Sequence, residues 1–599
     1  MRETNIIKKL NIIYIAKYIE SERVIFCKRW ILCVTLNFLL IMSLSAQWST
    51  DPSQNLRVTN RGLLPRIISD GNGGAYIAYN DMPLLGIHIH VQRLDKYGYV
   101  QFPGNGIMVA DSSHFQAQRY FLVNDNAGGV IVVFDDSFLK DEKGHTRASA
   151  QRIDSTGQKL WGENGVAVAP LENPWYLDLV SGCSDGEGGC YVFWGVYHDR
   201  NNIDLMVQHL DSQGNFMWDN TGMVVSNKFI SYDYAQPCLS IADNDKGVIV
   251  YYLDDSGARL QRIDFYGQKL WGNGIEIFDE LGFVWQWASI ASDRENGAIV
   301  ANSHQSNYGD NFGWHFNVAA QRVDYDGEKL WSNNGVVVTE MADDQTFIPQ
   351  LVIDKGINSY IVWQDQRSDT SNVYAQRLNS NGEIHWQEDG IKVSQFNSMK
   401  GIHSDVVLDS DSGLIVIWRD WRNNERSIRA QRINADGIFL WQNELVVTDR
   451  QTFSSEQVAS DGNGGAIVCW YSEPPDIGIY AQQINYNGEL GKVIETSIKE
   501  QDSQILPSHI HLLQNYPNPF NTGTLIKFSL PQSGHVQLKI FNLNGKEVIT
   551  LLDQNLKGGA GQSVWDGRNQ DGDDVSSGVY FISLKINELV KTRKILLIR

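Results

Sequence analysis

Cysteine is scarce: the 599-residue chain holds six, at 27, 33, 183, 190, 238 and 469. Neither their spacing nor any nearby histidine cluster has a zinc pattern. Basic residues are also in deficit, 50 Lys and Arg against 70 Asp and Glu, a net charge of -20 that repels phosphate backbones and anionic membrane surfaces. Nucleic acid is thereby excluded as a partner. No Gly-x-Ser-x-Gly elbow, His-Glu-x-x-His pair or phosphate loop occurs. Those absences remove the commonest signatures of hydrolase and nucleotide chemistry, but fold and motif alone do not exclude an enzyme. Proline is sparse at 14, against 53 Gly, 18 Trp and 24 Tyr. With 42% hydrophobic residues, that mix predicts an all-β chain of short strands and tight glycine turns with ample core.

The one long apolar run, Trp30 to Leu44, follows Lys28 and Arg29 and ends at Ser45 and Ala46. It is shorter than the roughly 20 residues of a spanning helix. Its order of basic, apolar and small residues predicts a signal peptide over 1–46, with a retained anchor as the alternative. The leader carries seven basic and three acidic residues, so its removal would take the net charge from -20 to -24. Cys27 and Cys33 leave with it. Of the four that remain, Cys183 and Cys190 flank a turn and could pair across that hairpin if their side chains share a face.

An internal repeat dominates the rest. A pair beginning with Gln recurs eight times at intervals of 51 to 60 residues: Gln92, Gln151, Gln208, Gln261, Gln321, Gln376, Gln431 and Gln482. Each unit opens with a short apolar segment ending in Asp, as in Pro65 to Asp70, then a glycine turn and a hydrophobic run such as Ala75 to Tyr79. An alternating strand follows, as in Val373 to Leu378, then a turn with glycine at a fixed offset and an aromatic: Phe102, Trp161, Trp218, Trp271, Trp331, Trp386 or Trp441. A short strand such as Gly335 to Thr339 closes the unit. Such runs are strands and hairpins, four per unit, which matches a propeller blade.

The eighth unit stops short, with no Trp and no closing strand after Gly488, while Asn55 to Thr59 ahead of the first unit resembles the missing strand. Pairing the two would close a ring and remove its open edges. The reading is an eight-bladed β-propeller over 47–495, with seven blades as the alternative, in which the regular aromatics fill the wedges between sheets. The repeated Asp, Gly and Trp are loosely similar to the blade-docking motif of quinone-dependent dehydrogenases. Here, however, glycine falls three residues after Asp (Asp154, Gly157) where that family places it four after, and no ligand set for a quinone is discernible.

Residues 496–511 read as a linker. Beyond them the repeat is absent, and 512–599 has the pattern of an Ig-like β-sandwich of about seven strands. Leu512-Leu-Gln-Asn-Tyr-Pro-Asn-Pro-Phe-Asn521, Ser577-Gly-Val-Tyr580 and the basic terminal strand from Thr592 to Arg599 together resemble the type A C-terminal sorting domain of the type IX secretion system. The resemblance implies passage through the periplasm, recognition of the tail by the outer-membrane secretion machinery, and delivery outside the cell or to its surface.

Candidate binding residues lie in the long loops, where binding concentrates. Five units place an Asp seven residues beyond the last turn residue, which is glycine in four of them: Asp81, Asp136, Asp254, Asp365 and Asp420. Two add an arginine, giving Asp365 with Arg367 and Asp420 with Trp421 and Arg422; His198-Asp199-Arg200 is related. One reading is a partial ring of carboxylates and guanidiniums with Trp421 and Trp314 as stacking platforms for a glycan or a surface protein. The other is a repeated turn in which Asp caps backbone N–H groups and Arg pairs with it. Asp566, Asp571, Asp573 and Asp574, and the loop Asp243 to Gly247, are candidate Ca2+ ligands that fit Asp–Gly turns equally well. No other cofactor is expected. A binding or adhesion module is the first functional expectation, and a secreted glycan-active or other hydrolytic enzyme the second.

Overall fold

The computed structural model describes residues 48–598 apart from 82–86, 111–114, 139–144, 169–176, 200–201, 231–237, 280–283, 307–314, 340–345, 368–370, 397–403, 492–510 and a few shorter gaps. The expected leader, most of the linker and Trp314 lie outside the described residues. The chain divides into two compact units, Met1–Ile494 and Glu495–Arg599. Every named element is a strand, and no described helix is long and apolar enough to cross a membrane.

The first unit contains eight four-stranded antiparallel sheets. The sixth is representative, with strands Thr346–Ile353, Ser359–Asp365, Asn372–Leu378 and Ile391–Lys392 in spatial order. Its second strand is buried at all seven positions. That burial explains the near-continuous apolar runs in the sequence, since both faces of the strand meet neighbouring sheets. Each hydrophobic core lies between consecutive sheets: Tyr360, Val362 and Trp386 of the sixth pack with Val416 and Trp418 of the seventh. The series returns on itself, because Ile467, Ile479 and Ala481 of the eighth sheet share a core with Ala75, Ile77 and Tyr79 of the first.

The eighth sheet takes its fourth strand from the beginning of the described chain. Leu56–Thr59 pairs antiparallel with Gly478–Ile484, Leu56 opposite Ala481 and Arg57 opposite Tyr480. The same segment brings the aromatic that the eighth unit lacks. Trp48, buried, donates from Nε1 to Lys96 O at 3.0 Å. Trp331 does the same to Ser380 O at 3.2 Å and Trp441 to Tyr486 O at 3.1 Å. Each tryptophan thus ties its sheet to the turn of the next.

The two glycine positions of the repeat have separate causes. At the Asp/Asn–x–x–Gly turn, Gly382 has φ +82° and a Cβ there would stand 2.8 Å from the Trp331 ring, so contact with the preceding sheet's tryptophan requires glycine. At the other turn, Asp70 Oδ1 accepts from Asn72 N and Gly74 N, both at 2.8 Å, and a Cβ on Gly74 would meet Leu94 O at 2.1 Å. The repeated Asp of that turn is therefore a cap, as its position before glycine suggests.

Cys183 and Cys190 do not share a face. Cys183 stands opposite Tyr191 and Cys190 opposite Ser184. Cys190 belongs to the core toward the second sheet, whereas Cys183 packs toward the fourth. Adjacent cross-strand positions alternate sides, so the hairpin disulfide is excluded and all four described cysteines are free.

The second unit has seven strands in two sheets. Thr524–Leu530 lies between His511–Leu512 and Gly559–Trp565, while Gly534–Asn542 lies between Glu547–Leu556 and Gly578–Ile586, with Leu589–Leu597 at the edge. One core joins them, from Ile526 and Phe528 to Ile582 and Leu597 around the fully buried Trp565. The Asn-Pro-Phe signature has a structural role: Asn518 Oδ1 accepts from Leu596 N at 2.8 Å, and Phe520 bridges to Leu597 and packs at a tilt against Trp565.

Candidate functional site

The five end-of-strand aspartates are buried, and an arginine reaches each of them. Arg61 pairs with Asp81 at 2.9 Å, Arg147 with Asp136 at 2.8 Å and Arg259 with Asp254 at 2.5 Å. Asp365, fully buried, accepts from Arg367 Nε at 2.8 Å, from the Arg367 backbone N–H at 2.9 Å and from Trp363 Nε1 at 3.2 Å. The guanidinium also lies 3.8 Å from the Tyr374 ring centre. Burial works to lower the Arg367 pKa, but the Asp365 carboxylate outweighs it and the net shift is upward. Arg367 is therefore a fixed cation.

The seventh sheet carries the densest charge cluster. Asp420 accepts from Arg422 Nε at 3.0 Å and Arg429 Nε at 2.9 Å. Both arginines also reach Glu444, at 2.9 and 3.5 Å. Burial raises the Asp420 pKa despite the opposing pull of Arg422 and Arg429. Around this core lie two aromatics: the Arg422 guanidinium sits 4.8 Å from the ring centre of Phe396, which is 59% exposed, and Arg426 sits 4.7 Å from that of the half-buried Trp421. The structure thus brings Asp420, Trp421 and Arg422 into one cluster and gives Asp365 and Arg367 a separate ion pair on the neighbouring sheet.

Glu444, Arg429, Arg426 and Phe396 were missed from sequence. For Glu444 a signal existed. The residue before the closing strand is glycine in the first six units, at 106, 165, 222, 274, 335 and 390, and becomes Glu only at 444. That departure marks the seventh sheet as the one carrying a second carboxylate.

The candidate Ca2+ loops hold their charges otherwise. Arg262 pairs with both Asp243 and Asp245, at 2.8 and 2.9 Å. Arg568 lies 3.2 Å from Asp574, while Asn569 Oδ1 accepts from Asp571 N and Asp573 N. Among the described residues no three His, Cys, Asp or Glu side chains are grouped so as to hold a metal ion.

Residues 514–598 match the model of the secretion system C-terminal sorting domain. The tail is a sorting domain. It marks the protein as exported by type IX secretion to the cell surface or the outside, and implies handling by that machinery. No curated protein sequence matches the chain. Among solved structures, a Dyadobacter fermentans protein of unknown function aligns at 9% identity and TM-score 0.33, over 72% of this chain and 97% of its own. PorZ, a surface component of the Porphyromonas gingivalis type IX system, aligns at 11% and 0.17, over 92% and 100%. The GH93 α-L-arabinofuranosidase of Fusarium graminearum aligns at 11% and 0.33, over 64% and 97%. At these TM-scores none bears on activity.

Proposed function

We propose that the first unit is a closed eight-bladed propeller serving as a binding or adhesion module, carried out of the cell by its sorting domain. The observation that carries the reading is the engagement of the end-of-strand carboxylates by arginine in their own or the adjoining segments. Glycoside hydrolysis needs two carboxyl groups free to flank a sugar, whereas these five serve first as ion-pair partners. Beside the carboxylates lie Trp421, Arg422 and Arg426, half-buried on the seventh sheet, and the exposed Phe396 that follows the closing strand of the sixth, residue types that dominate contact energies. The ligand class is a glycan or a surface protein. A glycan and protein array probed with the mature protein tests this: a hit should weaken in the Trp421→Ala/Arg422→Ala double variant while the fold is retained. An undiminished hit would refute the assignment of the site.

One observation favours a second reading, a secreted glycan-active hydrolase. Asp420, raised in pKa, and Glu444 are two carboxylates bridged by the same pair of arginines. Release of reducing sugar from a polysaccharide panel, abolished by Asp420→Asn, would establish it over the binding module.

A further inference from the structure

Four of the five end-of-strand aspartates draw their arginine from their own unit of the repeat: Asp136 from Arg147, Asp254 from Arg259, Asp365 from Arg367, and Asp420 from Arg422 and Arg429. Asp81 is the exception. Its partner, Arg61, lies in the short connector 60–62 between Leu56–Thr59, which completes the eighth sheet, and Leu63–Ser69, which opens the first. The contact is 2.9 Å, and Asp81 is buried while the Arg61 side chain is half exposed. One ion pair therefore fastens the connector, and with it the closing strand, to the first sheet.

Register shows what stands where the first sheet's own arginine would be. Asp254 faces Gly257 across the strands and Asp420 faces Ser427, and the residue two beyond each partner is the arginine that reaches the carboxylate, Arg259 or Arg429. Asp81 faces His88, and the same place is taken by His90. His90 Nε2 lies 3.7 Å from Asp81 Oδ2, within ion-pair range but too far for a hydrogen bond. Burial holds the His90 pKa below 6.5, the Asp81 carboxylate pulls the other way, and the charge of Arg61 and the neighbouring His88 reinforce the burial. The imidazole also stacks on Tyr79, ring centres 5.8 Å apart and planes 14° apart. Tyr79 in turn underlies the connector: a Cβ on Gly62, where φ is +115°, would stand 2.5 Å from its ring, and its hydroxyl donates to Asn105 O. His90 thus adjoins both groups that hold the connector, the carboxylate and the aromatic ring.

We propose that His90 is an acid-sensitive latch on the closing strand: as a neutral imidazole it leaves Asp81 to Arg61, and as an imidazolium it takes Asp81 and repels Arg61, loosening the connector and the pairing of Leu56–Thr59 with Gly478–Ile484. Histidine is the side chain whose charge changes in the neutral to mildly acid range, which the arginines at the same place in the fourth and seventh sheets cannot do. A group that the fold holds neutral contributes its stability in full above 6.5 and loses it as pH falls below that value toward the folded pKa. The charged and titratable groups acting on His90 are Asp81, Arg61 and His88. Tyr79, whose pKa burial pushes up to about 12, stays neutral throughout. The latch needs no ligand and is separate from the Asp420 cluster, so either can fail alone.

The test is hydrogen exchange of the mature full-length protein, read by mass spectrometry at about pH 7.5 and about pH 5.5 and corrected for the intrinsic effect of pH on exchange. Peptides covering Leu56–Thr59 and its partner Gly478–Ile484 should exchange several-fold faster at the acid pH, while Val336–Thr339, the closing strand of the fifth sheet, keeps its protection. His90→Tyr introduces the residue that the sixth sheet has at this place, Tyr374, and should abolish the acid loss while keeping the aromatic contact. His90→Arg makes the cation permanent and should already show at neutral pH the faster exchange that the wild type shows in acid. Equal protection of the wild-type closing strand at both pH values overturns the proposal whether or not either variant folds. The same acid loss in a folded His90→Tyr variant, or full neutral-pH protection in a folded His90→Arg variant, would overturn it as well.

Discussion

If residues 48–59 complete the eighth sheet, then Trp48→Ala should damage the protein as severely as loss of a tryptophan in mid-chain. The Trp48 side chain is 4% exposed, lies over Gly98 where an added Cβ would stand 2.8 Å from the ring, and donates to Lys96 O. Removing a buried tryptophan costs about 3 to 5 kcal/mol through lost transfer energy and the cavity left behind. Trp331, 8% exposed and bonded to Ser380 O, is the internal control and should lose a similar amount on conversion to Ala. Trp48→Phe separates the two contributions. It retains most of the ring contact and forfeits the N–H bond, about 1 kcal/mol. Phe102 sets the precedent, being 3% exposed against Gly157 at the corresponding place in the first sheet. The assay is urea unfolding of the mature chain followed by circular dichroism, with the three variants compared at equal slope. A loss below about 1 kcal/mol for Trp48→Ala beside a full loss for Trp331→Ala would refute closure by the N-terminal segment.

Other outcomes follow from the same geometry. Gly382→Ala combines φ +82° with a Cβ 2.8 Å from the Trp331 ring and should cost about 2 to 4 kcal/mol in the same assay. Arg367→Met strips the buried Asp365 of its cation and should destabilise by about 3 kcal/mol, the lower end for a broken buried pair because the Arg367 side chain is 16% exposed. Asp185 is subject to burial, which raises its pKa, but His209 and the N–H groups of Glu187 and Gly189 hold it below 3.8. A depressed carboxylate stabilises above its unfolded pKa and loses that contribution as pH falls through the folded value. The stability gap between wild type and Asp185→Asn, measured by unfolding midpoints, should therefore be full above about pH 5 and close progressively below pH 3.8. Deleting 512–599 should strand the protein in the periplasm, read by fractionation; surface exposure of the truncated chain would contradict the role of the sorting domain.

The repeat, the strands and the tail were legible in the sequence because each rests on local physics. An Asp two and four residues before turn N–H groups caps them wherever it occurs, as Asp70 does, and alternating or continuous apolar runs report burial on one face or two. The sorting domain was legible for the same reason, its Asn-Pro-Phe and Trp565 packing within one small unit. What the sequence alone left open depends on partners far apart in the chain. Trp48 acquires its role only when Lys96 and Gly98 arrive at the seam, and nothing within its own neighbourhood marks it. Whether Cys183 and Cys190 could pair was a question of faces, answered by register. The aspartates of the loop ends looked available because their arginines stand at irregular distances, two residues away for Asp365 but eleven for Asp136 with Arg147. Gln483 is the sharpest case. In sequence it is a minor variation on Gln–Arg; in the structure it reaches Asp461 Oδ2 at 3.2 Å where Arg432 reaches Asp409 in the seventh sheet, a difference that shows only once the eighth sheet packs against the first.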